Sequence, residues 1–116
     1  MEVYRTINGT PDQCFDLLIE SLCMDILSSS GQSVNEDEIQ EGFHYDKQLR
    51  GRMGNSGIVT VTILEIKRPN VYKVRFESAQ GVNMLEYHLE AIDDSEFQLK
   101  YIESYHSHKK KKDVEF

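Results

Sequence analysis

The aromatic residues Phe43, Tyr45, Tyr72, Phe76, Tyr87, Tyr101 and Tyr105 sit in segments that alternate apolar and polar side chains. Tyrosine suits the wall of a ligand pocket, because it offers apolar area together with one hydroxyl that orients a bound molecule. Glu103 is in phase with Tyr101 and Tyr105, which makes it the one charge expected to face inward with them. Buried alone, such a carboxylate would have a raised pKa, as an acid–base residue or a ligand anchor requires. The commoner use of residues like these is plain core, with Glu103 beyond the covered part of its strand.

Other chemistry-bearing residues give weaker patterns. His106-x-His108 sets two imidazoles on one side of an extended segment with Glu103 nearby, a divalent-metal geometry that lacks a third firm ligand. We therefore expect no metal and no cofactor. His44 and His88 fall on the wet face with no obvious partner. The Gly51, Gly54 and Gly57 spacing lacks the Lys-Ser/Thr pair of a phosphate loop and reads as a hairpin connection, although Arg50 and Arg52 suit an anionic partner there. There is no Gly-x-Ser-x-Gly elbow. Cys14 lies in a first helical turn, where its thiolate would be favoured, but no histidine is linked to it by sequence.

These residues need elements to position them. Residues 1–9 read as a short strand ending in the Asn8-Gly9 turn signal. Thr10-Pro11-Asp12-Gln13 then starts a helix, with an N-cap threonine, proline at the first helical position and glutamine three residues after the cap. Phe15, Leu18, Ile19, Leu22 and Ile26 follow at helical spacing, and Ser28-Ser29-Ser30-Gly31 ends or interrupts the helix. Asn35 and Glu38 bracket a second, short helix or an acidic loop. From Gly42 the period becomes two, with strands over Phe43–Leu49 (Lys47 breaking the phase), Ile58–Lys67, Val71–Ser78, Val82–Ile92 and Glu96–His106. Short connections require these five to form an antiparallel meander, because parallel crossovers need about a dozen linking residues. Their one-sided alternation implies one covered face and one wet face.

At 116 residues the chain is expected to be a single domain, residues 1–116, with a basic tail over 107–116. Its 39% hydrophobic and 28% charged fractions are those of a globular protein, and a net charge of −7 argues against nucleic acid or an anionic membrane as partner. Lys109–Lys112 make that tail a basic end on an acidic body. The N-terminal residues lack the basic start and apolar core of a signal peptide, so a cytoplasmic location is expected. Cys14 and Cys23 stand on opposite sides of one helix, about 13 Å apart along its axis, beyond disulfide reach.

The order strand, helix, meander resembles the helix-grip fold of the START and birch-allergen superfamily. More narrowly, Thr10-Pro11, Gly51-Arg52, Ser78 and Gly81, Tyr87-His88-Leu89-Glu90 and Tyr101-Ile102-Glu103 make the chain similar to an uncharacterised Firmicutes family of about this length within it. They are core and turn residues, and none is catalytic. The resemblance implies an α+β fold, a helix-grip-like curved antiparallel sheet of about six strands packed on the helix after strand 1. It also implies a small stand-alone protein of unknown function, in a family often associated with sugar uptake. Superfamily members grip a long C-terminal helix, and the residues after His108 are too few to supply its five or six turns. Either the chain is shortened and a groove stays open where that helix would lie, or a second copy covers the face. A homodimer is the expectation, because a bare sheet face exposes more apolar area than monomers usually carry.

The expected function is non-enzymatic binding or sensing of a small apolar ligand between sheet and helix, held by Phe43, Tyr45, Tyr72, Phe76, Tyr87, Tyr101 and Glu103. A protein-interaction or regulatory module with a packed core is the alternative. A helix-grip enzyme of cyclase or hydrolase type comes third, and would need a second polar group opposite Glu103.

Overall fold

The computed structural model describes residues 1–50 and 56–108. The hairpin connection over residues 51–55 and the lysines at 109–112 lie outside the described residues.

A capping box launches the helix that follows the first strand, β1 (Glu2–Asn8). The Gln13 N–H donates to Thr10 Oγ1 and the Thr10 N–H donates to Gln13 Oε1, both at 3.2 Å. Gly9 makes room for this exchange: its φ is +125°, and a Cβ there would meet Gln13 Oε1 at 3.0 Å. The helix, α1 (Pro11–Ser30), runs 20 residues without a break. Two of the serines that looked like a terminator are absorbed, with Ser28 Oγ donating to the Met24 carbonyl and Ser30 Oγ to that of Ile26. Gly31, in the left-handed region at φ 75°, then closes the helix by donating its N–H to the Leu27 carbonyl. The second helix reduces to one 3-10 turn, Glu36–Glu38, entered where the Asn35 N–H donates to Glu38 Oε1 at 2.7 Å.

The remaining strands are β2 (His44–Arg50), β3 (Ser56–Lys67), β4 (Val71–Glu77), β5 (Gly81–Ala91) and β6 (Glu96–Ser107). They form the expected antiparallel meander, and β1 closes on β6, giving the order β1-β6-β5-β4-β3-β2. In β3 the register against β4 shifts between Ile63 and Glu65, so Leu64 is an extra residue in a bulge. The bulge resets the alternation: Ile63 pairs with Val74, Glu65 with Lys73 and Ile66 with Tyr72. Both isoleucines therefore face α1, and Glu65 faces water. The result is a curved six-stranded sheet with one long helix across its inner face.

Phe15, Ile19, Leu22 and Ile26 form the stripe of α1 that enters the core, against Tyr45, Val59, Val61, Ile63, Tyr72 and Val74. Phe15, Ile26 and Ile63 have no exposure at all. The Phe15 and Tyr72 rings meet edge-on, with centroids 6.4 Å apart. Arg68 caps this end: its guanidinium lies 5.1 Å from the Phe15 ring centre and pairs with Asp12, Asp16 and Glu36. It thus ties the β3–β4 turn to the helix start and to the 3-10 turn.

On the outer face the side chains are ionic. Lys73 Nζ lies 3.3 Å from Glu65 and 3.7 Å from Glu86, and Glu86 Oε1 is 3.0 Å from His88 Nε2. His88 thus has a partner two residues away on its own strand, which corrects the expectation that it stands alone. The His44 ring nitrogen Nδ1 likewise lies 3.3 Å from the Gly42 carbonyl.

Candidate functional site

Strand register assembles the inner aromatic residues into rows. Tyr72, Tyr87 and Tyr101 occupy one cross-strand row over β4, β5 and β6. Their ring centroids are 5.7 Å apart between Tyr72 and Tyr87 and 5.1 Å apart between Tyr87 and Tyr101. The next row holds Ile63, Val74, Leu85 and Glu103, and the one after it Tyr45, Val61, Phe76, Asn83 and Tyr105.

Between these rows and α1 lies a cleft of about 180 Å³, lined by Leu18, Ser21 and Asp25 from the helix and by Tyr45, Tyr72, Phe76, Leu85 and Tyr87 from the sheet. Phe76 also lines a neighbouring cleft of about 350 Å³, together with Lys47, Ser78, Gly81, Asn83 and Tyr105. The first volume is below the ~300–1,000 Å³ of most small-molecule sites, and the second is within it.

Four of the seven anticipated site residues, Tyr45, Tyr72, Phe76 and Tyr87, line the first cleft together. Tyr101 and Glu103 lie one strand further out on β6, half-buried, opposite Tyr87 and Leu85. Phe43 lines neither cleft; it packs on the core beside Tyr45, at a ring distance of 6.4 Å. Tyr105 is 58% exposed, and its ring lies over Gly81, where an added Cβ would sit 2.6 Å from the hydroxyl. Its hydroxyl donates to the Gln80 carbonyl at 3.3 Å.

Glu103 is neither isolated nor the sole inward charge. Its carboxylate accepts from the Tyr101 hydroxyl and from Asn83 Nδ2, each at 3.3 Å. Lys47, which looked like a break in the phase of β2, also turns inward: Nζ lies 3.2 Å from Asp25 on α1 and 5.6 Å from the Phe76 ring centre. The Tyr45 hydroxyl donates to the same Asp25 oxygen. This Tyr45–Asp25–Lys47 cluster eluded the sequence reading. Its signal was a lysine in phase with Phe43 and Tyr45, and its partner is 22 residues away.

Ionisation of the inner tyrosines is strongly disfavoured. Burial raises the pKa of Tyr45, and its hydrogen bond to Asp25 raises it further. Burial likewise raises Tyr72, Tyr87 and Tyr101, with the Glu103 charge adding to the effect at Tyr87 and Tyr101. Burial also raises the Cys14 thiol, overriding the thiolate preference expected from its place in the first helical turn. On β6, Glu103 shares the inner face with Tyr101, whereas His106 has the opposite phase and is exposed. The described residues contain no group of metal-binding side chains.

Residues 1–115 match a family described as a domain of unknown function, DUF3284. No curated protein matches the chain. Among solved structures, Ara h 8.0201 is similar at 14% identity and a TM-score of 0.63, over 93% of this chain and 78% of that one. A structural-genomics protein from Rhodobacter sphaeroides is similar at 15% identity and a TM-score of 0.56, over 97% of this chain and 76% of the other. The Mll3558 protein from Rhizobium loti is similar at 12% identity and 0.53, over 99% and 89%. At these identities the likeness is one of fold, and that fold is the helix grip.

Proposed function

Because the chain belongs to the DUF3284 family, whose description assigns no activity, we propose a function from the groove itself: non-enzymatic binding of a small apolar ligand between α1 and the sheet. The observation that carries this reading is the unbroken row of Tyr72, Tyr87 and Tyr101 rings, which begins under α1 and continues past it into the open part of the groove. A row that served packing alone would end where the helix cover ends. Each aromatic ring covered by a ligand contributes about 1.5–3 kcal/mol, before the cost of ordering the complex. Phe76 joins the two clefts, so a ligand longer than the first one extends toward Asn83 and Tyr105. Asp25 is held by Tyr45 and Lys47 as a tie between helix and sheet, which favours binding over acid–base catalysis.

A second copy of the chain covering the outer part of the groove belongs to the same proposal. Leu17 and Met24, seven residues apart on α1, are 65% and 64% exposed, and they extend the apolar surface beyond the groove. The free thiols of Cys14 and Cys23 support a cytoplasmic location. A bacterial origin among the Firmicutes, with a regulatory link to sugar uptake, completes the proposal and rests on the sequence resemblance alone.

Native mass spectrometry of gently purified protein tests both parts. The expected species is a dimer that retains an additional mass of a few hundred daltons. A ligand-free dimer in which the interior also excludes added apolar probes would replace ligand binding with a protein-interaction role.

A further inference from the structure

We propose that the outer part of this groove selects organic cations, with Glu103 as counter-charge and the Tyr87 and Tyr101 rings as walls for the cationic head. The proposal rests on the groove-binding reading and adds the chemical class of the ligand.

Glu103 carries it. Among the described residues, Asp25 and Lys47 pair with each other on the inner face at 3.2 Å, and Arg5, in phase with Val3 and Ile7, stands exposed opposite Leu99, two rows from Glu103. The Glu103 carboxylate is half-buried and receives two neutral hydrogen bonds, both long at 3.3 Å, and it pairs with no cation among the described residues. The Met1 ammonium lies close by but donates to the Glu103 backbone carbonyl. A half-buried carboxylate without a counter-ion favours a positive ligand over a neutral one and penalises an anion.

The surroundings agree in sign. Asn83 gives its amide Nδ2 to Glu103, which leaves Oδ1 buried and unpartnered. Reversing that amide would set its oxygen against the carboxylate, so the site keeps a surplus of acceptors. Tyr87 and Tyr101 stand 5.1 Å apart beside the carboxylate, and the negative faces of tyrosine rings attract cations, quaternary ammonium groups above all. Of the acidic residues of α1, only Asp25 lines the cleft, and Lys47 pairs with it, so the helix brings no unpaired cation to Glu103. With a net charge of −7 overall, the protein concentrates cations near this surface. The fitting ligand therefore has an apolar body, for the cleft of Leu18, Leu85 and Phe76, and an ammonium head at Glu103.

Three probes of equal chain length separate this from general apolar binding: octyltrimethylammonium, octanol and octanoate, titrated calorimetrically at neutral pH and low ionic strength. The ammonium is expected to bind at least ten-fold more tightly than octanoate, with octanol between them. Glu103→Gln, which keeps the side-chain shape, brings the ammonium down to the affinity of octanol. In the unaltered chain, added salt weakens the ammonium and strengthens octanoate, a result that needs no variant to fold. Equal binding of all three, or a preference for octanoate, overturns the cation proposal while leaving the groove reading intact. Failure of all three to bind removes both.

Discussion

The two halves of the inner sheet face are built by the same rule and end differently. Under α1, alternation delivers Val61, Ile63, Val74 and Tyr72 to a helix stripe of Phe15, Ile19, Leu22 and Ile26, and almost nothing there meets solvent. Further along β5 and β6, the same alternation delivers Tyr87, Tyr101, Asn83, Glu103 and Tyr105, which remain half-buried or exposed. The composition changes where the cover stops: aliphatic side chains give way to rings with a polar tip and to groups that need hydrogen-bond partners. The lesson is that inward phase alone does not define a core. A strand carries core where a second layer meets it, and half-buried rings and polar groups where none does.

The sharpest way to break this contrast is to hollow each half in turn. Phe15→Ala in the covered half is expected to cost about 3–5 kcal/mol in chemical denaturation, since the helix and Tyr72 cannot close on the space. If that loss were no larger than the loss from Tyr101→Ala, the two halves would be energetically alike and the contrast would collapse. In the open half, the double substitution Tyr87→Ala with Tyr101→Ala should lower the affinity of an apolar probe by ten-fold or more, at roughly 1.5–3 kcal/mol per ring, and leave the chain folded. Unchanged probe affinity in a folded double variant would remove these rings from the site.

The boundary between the halves is expected to respond to alkali. Tyr45, Tyr72, Tyr87 and Tyr101 all have folded-state pKa values above their ordinary value of 10.0. The folded chain therefore keeps its phenolic protons where the unfolded chain has lost them. This stabilisation is complete below about pH 10 and drains away as pH rises past it. Circular dichroism should show unfolding that sets in above that pH, coupled to phenolate absorbance. Tyr45→Phe keeps the ring but removes the proton given to Asp25, at a cost of about 1 kcal/mol at neutral pH, discounted for the exposure of the carboxylate. The smallest effect belongs to the outer face. Lys73→Ala should shift stability by no more than about 0.5 kcal/mol, because water screens the charges that it joins, and added salt should shrink the shift further.

What was legible in the sequence was local. Thr10, Pro11 and Gln13 specify a helix start within four residues, and the alternation of Tyr72-Val74-Phe76 or Leu85-Tyr87-Leu89 specifies a face without knowledge of any partner. What escaped depended on distance or on compensation. Lys47 reads as an interruption of the apolar phase until Asp25, on a different element, is brought to it. Ser28 and Ser30 read as breakers because their hydroxyls compete with the backbone, yet each bonds back to a carbonyl of its own helix. Of the candidate site, the row Tyr72-Tyr87-Tyr101 follows from phase. That Phe43 lines neither cleft and Tyr105 only the second follows from where α1 crosses, which no local pattern encodes.

Leu64 has a consequence for how this protein can vary by inheritance. Because the bulge takes up one residue, a single-codon deletion at Leu64 leaves Ile63, Glu65 and Ile66 opposite the same partners on β4. Which side chain faces which way would be preserved, while the extra bend that a bulge gives its strand would be lost. Shape and facing are thus written in separate letters of the text. A lineage can flatten or deepen the groove by gaining or losing one residue, without rewriting the alternating code of the sheet around it.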